Sequence, residues 1–163
     1  MKTAIIIGAS TGIGRATALA LSDKYNSISI TSFRHKEELL SLRDELTAKG
    51  CVCYCETGDA GDMEFMENFI QNTIDHLGSD IDLLINNAGI SYVGLINDMT
   101  AQDFDRTMKS NVYSVFNSCR LVVPHMIQLH KGHIINISSV WGNVGASCEV
   151  AYSASKGAVN SLS

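Results

Sequence analysis

Hydrophobic and polar positions along the chain follow two alternating rhythms. Five short β-rich runs stand out: 3–7 (TAIII), 27–32 (SISITS), 51–55 (CVCYC), 82–86 (DLLIN) and 133–138 (HIINIS). Between them, apolar residues recur at spacings of three and four, the helical period. Leu39, Leu42 and Leu46 mark one helix over 36–49. Met63, Met66, Phe69, Ile70, Ile74 and Leu77 mark another over 62–77. Residues 13–24 are rich in Ala and Leu and read as the helix after the first strand. Gly50 and Gly78 stand where the second and third helices should stop. The stretch 101–130 is long enough for several turns; it holds the lone proline, Pro124, which predicts a kink or break. A further helix begins at Ala151.

Strands alternating with helices predict a parallel sheet with helices on both faces. The expectation is an α/β, three-layer, doubly wound Rossmann fold with strand order 3-2-1-4-5. A dinucleotide fold of this type ordinarily has six strands, and five are legible here. No repeat, linker or composition shift divides the chain, so residues 1–163 read as one domain. The last helix reaches Ser163 without a capping glycine or a basic last turn. That pattern reads as a C-terminal truncation.

The formal net charge is −5, which argues against nucleic acid, whose binders carry a basic footprint. Charged residues make up 18% and hydrophobic ones 45%, so the chain can bury a core and is not disordered. No apolar run approaches the roughly 18 residues of a membrane span. The apolar run after Lys2 is too short for a signal peptide. A cytoplasmic, membrane-free protein is expected. The five cysteines are odd in number and do not read as a disulfide framework. Cys51, Cys53 and Cys55 alternate, so a strand would turn them to one face. Ligands along one flat strand do not close a tetrahedron, so they read as small buried hydrophobes and no metal is expected. The five histidines show no ligand spacing, and the sequon at 136–138 falls in a predicted buried strand.

Three motifs carry candidate chemistry. Gly8-Ala9-Ser10-Thr11-Gly12-Ile13-Gly14 follows the first strand and opens a helix. Glycines there let the backbone turn and approach a pyrophosphate, and free amides at the helix start favour an anion. Close helix–sheet packing would use the same glycines. Asn86-Asn87-Ala88-Gly89 ends the fourth strand, on the edge where open α/β sheets bind ligands, although such residues also build ordinary turns. Tyr152 and Lys156, four apart, share a helix face. The cation favours the phenolate, which makes Tyr152 a candidate proton donor to a carbonyl. A solvated helix face is the plain alternative. Ser139 lies thirteen residues earlier on the same edge of the sheet and could hydrogen-bond the same oxygen.

In their order and separations these motifs resemble the short-chain dehydrogenase/reductase family over the whole chain. Within it the chain is most similar to the 3-oxoacyl-[acyl-carrier-protein] reductases, through residues 134–142 and the Tyr152 helix. The resemblance implies hydride transfer between NAD(P) and a carbonyl or alcohol, plausibly a 3-oxoacyl thioester of fatty acid biosynthesis. It implies a tetrad of Asn111, Ser139, Tyr152 and Lys156. In that pattern Tyr152 is the acid/base and Ser139 polarises the carbonyl. Lys156 holds the nicotinamide ribose, and Asn111 anchors a water. Gly8, Ser10, Thr11, Gly12, Ile13 and Gly14 would hold the pyrophosphate. Asp59 and Ala60 would meet the adenine, and Asn87, Ala88 and Gly89 the adenosine side. A homo-oligomer is implied for a full-length form. Ile7 stands where the family usually has Thr, which is expected to loosen the cofactor floor.

The second strand ends Thr31-Ser32-Phe33-Arg34-His35-Lys36. A carboxylate there would bond the 2′-OH of NAD, whereas an Arg accommodates a 2′-phosphate. Arg34 therefore favours NADP over NAD. Trp141 and Cys148 lie in the loop that would border the substrate pocket. The rival reading is a nucleotide-binding fragment that is catalytically silent.

Overall fold

The computed structural model describes residues 2–163. Five strands form one parallel sheet in the order β3-β2-β1-β4-β5. They are β1 (Thr3–Ile7), β2 (Ser27–Ser32), β3 (Val52–Thr57), β4 (Ile81–Asn86) and β5 (His133–Asn136). The helices are α1 (Gly12–Leu21), α2 (Lys36–Ala48), α3 (Met63–Leu77), α4 (Ala101–Met108), α5 (Ser114–Gln128) and α6 (Val150–Leu162).

The central strands are buried on both faces, as the near-continuous apolar runs require. On β1, Ala4 and Ile6 pack with Leu39, Leu42 and Leu46 of α2 and Ala18 of α1. Their neighbours Ile5 and Ile7 pack on the other face with Met66, Phe69 and Ile70 of α3 and Val122 and Met126 of α5. The same alternation runs through β3. Cys53 and Cys55 lie against the α1–α2 side, together with Cys51, while Tyr54 packs on the α3–α5 side. Burial pushes the Cys53 thiol up to about 12, in keeping with a packing role. Among the described residues no group of three or more His, Cys, Asp or Glu could hold a metal ion. No helix among them is long and apolar enough to cross a membrane.

Several boundaries differ from expectation. α1 stops at Leu21, not 24, where the Ser22 hydroxyl donates to the Leu19 carbonyl in the last turn. β3 runs two residues further, because parallel pairing with β2 continues to Ser32–Thr57. β5 ends at Asn136, and Ile137 leaves the ladder with its N–H on Asn86 O. Pro124 does not break its helix: α5 runs through it to Gln128. Both Pro124 and Arg120, whose carbonyl loses its i+4 donor, are exposed, so water can replace the missing bond. The irregularity falls earlier, as a π-helical turn at Lys109–Tyr113 joining α4 to α5.

Order 3-2-1-4-5 places the reversal of winding between β1 and β4, where ligands of open α/β sheets sit. The glycine turn follows β1 and the Asn-Asn-Ala-Gly loop follows β4, so both motifs meet there.

Candidate active site

The two loops touch closely. Gly8 has φ +84°, and a Cβ on it would stand 2.6 Å from the Ala88 backbone. A Cβ on Gly14 would stand 2.2 Å from Gly8 O and 2.7 Å from Asn87 Nδ2. Only glycine allows this approach. Asn87 braces it: its N–H donates to Ile7 O at 3.0 Å, and its Nδ2 donates to Gly8 O at 2.7 Å. A looser floor is expected from Ile7; Asn87 ties the turn from the opposite loop without a hydroxyl at position 7.

α1 begins with Thr11 at its N-cap, without a side-chain cap bond and without an acid in the first turn. Its first amides thus have no side-chain acceptor, which suits an anion. Beside it opens a cleft of about 310 Å³ whose walls include Gly8, Ser10, Thr11, Arg34, Asp59, Asn87, Ala88 and Gly89. Arg34 lies with its guanidinium 5.5 Å from the centre of the Phe33 ring. Asp59 accepts from Gly61 N at 2.9 Å and pairs with Lys109 Nζ at 3.0 Å. Ala60 sits behind, in a small adjoining cavity of about 30 Å³. Gly12 borders a separate groove with Arg15, which is paired with Glu45. Two cations on the far wall, Arg106 and Lys109, were missed in the sequence. Nothing within their own segment marked them.

A second cleft, of about 480 Å³, brings together Ile13, Ser138, Ser139, Tyr152 and Lys156. It shares Asn87, Gly89 and Ile90 with the first. Lys156 is 4% exposed; its Nζ donates to Ile137 O at 2.7 Å and lies 5.7 Å from the centre of the Tyr152 ring. Burial lowers its pKa from the usual lysine value. The two serines have different tasks. Ser138 donates its proton to Lys156 O at 3.1 Å. Ser139 Oγ accepts from Trp141 N at 3.2 Å, capping a short 3₁₀ turn at Val140–Gly142, and so keeps its own proton available to donate.

Asn111 lines neither cleft. It is fully buried in the π-helical turn. Its Oδ1 accepts from Ile90 N at 2.7 Å, and its Nδ2 donates to Ile90 O and to Ser155 Oγ, both at 2.9 Å. It fastens the loop after β4 to α6, and π-turns recur where a helix must place such a residue. A Cβ on Gly89 would come within 3.2 Å of Asn111 Oδ1 and 3.5 Å of Lys156 Nζ, so this glycine lets the loop close on the pair. Of the two residues expected to border the pocket, Trp141 lines the second cleft and Cys148 does not. Glu149, not anticipated from sequence, does.

A family model described as short chain dehydrogenase matches residues 2–163. The 3-oxoacyl-[acyl-carrier-protein] reductase FabG of Staphylococcus aureus (strain Mu50 / ATCC 700699) is 34% identical over 161 residues, covering 99% of this chain and 65% of its own length. An NADPH-dependent pterin aldehyde reductase of Arabidopsis thaliana is 35% identical, with 99% and 66% covered. Among solved structures, an NAD+-bound xylitol dehydrogenase superposes with a TM-score of 0.92 at 30% identity, covering 99% of this chain and 62% of that one. The chain thus spans about two thirds of the length of the curated relatives it matches.

Proposed function

The chain belongs to the short chain dehydrogenase family of oxidoreductases, and we propose that it reduces a carbonyl substrate with NADPH, using Tyr152 as the proton donor. The observation that carries this reading is the meeting of Ser139, Tyr152 and Lys156 in one cleft that shares a wall with the glycine turn. In this reading residues 1–163 act as one dinucleotide-binding domain.

The residues present suit a dinucleotide: a glycine cradle that a Cβ would fill, uncapped amides at the start of α1 and a cation at the end of β2. Gly8, Ser10, Thr11, Gly12, Ile13 and Gly14 would hold its pyrophosphate. Arg34 would take the 2′-phosphate, Asp59 and Ala60 the adenine, Asn87, Ala88 and Gly89 the adenosine side, and Tyr152 and Lys156 the nicotinamide ribose. When bound, the dinucleotide would supply the hydride for the carbonyl carbon. Ser139 orients and polarises the carbonyl by donating a hydrogen bond to its oxygen. Tyr152 delivers its hydroxyl proton to that oxygen. Lys156, held by Ile137 O, places its ammonium 5.7 Å from the centre of the phenol ring. Asn111 holds the Ile90 backbone and α6 in register, and so positions the relay.

A 3-oxoacyl thioester is the substrate to try first, since the FabG relatives are named for it. NADPH is preferred because Arg34, not a carboxylate, follows β2. A second reading, nucleotide binding without turnover, draws on the segment after Ser139, where Val140, Trp141 and Val144 are exposed. The test is NADPH oxidation with a 3-oxoacyl thioester. Tyr152→Phe, which removes only the hydroxyl, should retain NADPH binding and lose ~10²–10⁴ in turnover. Near-normal reduction by the Phe variant would show that another group is the acid. Binding without oxidation in the parent chain would leave the second reading.

A further inference from the structure

Two charged side chains line the catalytic cleft, Lys156 and Glu149. The Lys156 ammonium is buried and committed to Ile137 O. Glu149 is in the opposite situation. It is half-buried at the N-cap of α6, where a carboxylate can accept from first-turn amides, yet its side chain makes no cap bond. Its backbone does the local work: its N–H donates to Ala146 O at 3.3 Å, and its carbonyl accepts from Ser153 N at 2.8 Å. Among the described residues no cation pairs with it. An unneutralised carboxylate therefore borders the cleft together with Ser139, Trp141 and Tyr152.

We propose that Glu149 is a specificity-determining residue that admits uncharged carbonyl compounds to this cleft and turns away those with a carboxylate one methylene away from the reacting carbon. The proposal deepens the reading of the Tyr152 cleft as a carbonyl site and rests on it. A free 3-oxo acid carries its negative charge two bonds from the carbonyl carbon. In the cleft that charge meets Glu149, while Lys156 already faces a backbone carbonyl. The matching ester or thioester is neutral and meets no such repulsion. The cleft thereby distinguishes an activated acyl group from its hydrolysis product.

Trp141 is the one tryptophan of the chain and lines this cleft, so its fluorescence reports occupancy without any turnover. The experiment titrates the 163-residue chain with ethyl acetoacetate and with acetoacetate at equal ionic strength, in the parent, Glu149→Gln and Glu149→Asp. The parent should bind the ester more tightly. The ratio of the two dissociation constants should fall by about fivefold in Glu149→Gln, the scale of a half-exposed charge pair. Glu149→Asp should keep the preference, and added salt should narrow it in the parent and in Glu149→Asp but not in Glu149→Gln. Equal binding of both compounds by the parent, an unchanged ratio in Glu149→Gln, or no saturable change with either compound overturns the proposal. NADPH oxidation is followed separately. Its absence with both compounds, alongside a charge preference read at Trp141, would count against the reductase reading and leave the filter standing. Turnover with an unchanged ratio in Glu149→Gln would do the reverse.

Discussion

Single residues at this site are held by partners that leave one defined function free. Ser139 accepts from Trp141 N and keeps its O–H free to donate, whereas Ser138 commits its O–H to a hydrogen bond with Lys156 O. Arg34 makes its ring contact with Phe33 and lines the adenosine-side cleft. A 2′-phosphate contact from that guanidinium would be charge-assisted, worth ~1.5–3 kcal/mol. Arg34→Ala should therefore weaken NADPH binding by that amount and leave NADH binding nearly unchanged. Fluorescence titration with both cofactors measures it, and equal dissociation constants in the parent would sink the assignment. The motif residues were legible because backbone strain and shared helix faces are local properties. The basic wall of Arg106 and Lys109 was not, because only folding brings α4 and the π-helical turn across from β2.

Two half-buried phenol–carboxylate contacts, one between the α1 end and β4 and one within β3, respond to pH. Tyr25, just after α1, donates to Asp82 Oδ2 on β4 at 2.9 Å. Tyr54 on β3 donates to Glu56 Oε2 at 2.6 Å. Both phenols are pushed up to about 12, first by burial and then by the neighbouring carboxylate. An unfolded tyrosine titrates near ~10. The native state therefore holds these protons more tightly, and the stability they contribute is intact below pH ~10 and lost as pH rises towards 12. Lys156 has the opposite sign. Its lowered pKa makes stability climb with pH until the unfolded lysine titrates near ~10.4. Urea denaturation across pH 9–12 should show the fall above pH ~10. Tyr25→Phe should lower neutral stability by ~1 kcal/mol and flatten that fall. An unaltered slope would place the titration elsewhere.

For the molecule as a whole, the uneven feature is the β5 side. β5 pairs with β4 and forms the edge of the sheet. Ile135 on it is 47% exposed, and Phe116, Ile127, Val140 and Leu162 are exposed as well. An unpaired strand edge with exposed apolar side chains favours association. The 163-residue chain should self-associate in solution, and Ile135→Lys should shift it towards monomer, as light scattering coupled to gel filtration would read. A monomeric parent at tens of micromolar would refute this.

The chain order of apolar runs and helical stripes by itself determined the architecture. Ala4, Ile6 and their alternates Ile5 and Ile7 had to be covered on both faces, which dictates a parallel sheet between helices. The glycine turn, the Asn-Asn-Ala-Gly loop and the Tyr152–Lys156 pair were likewise readable, since each depends on spacings within one segment. Tertiary structure decided what depends on segments far apart. It made Asn87 the brace of the glycine turn, put the helix irregularity at Asn111 instead of Pro124, and left Glu149 unpaired on the cleft wall. Those outcomes rest on which carbonyl, amide or charge arrives from another element, and on how much water remains beside it. No local pattern encodes either quantity.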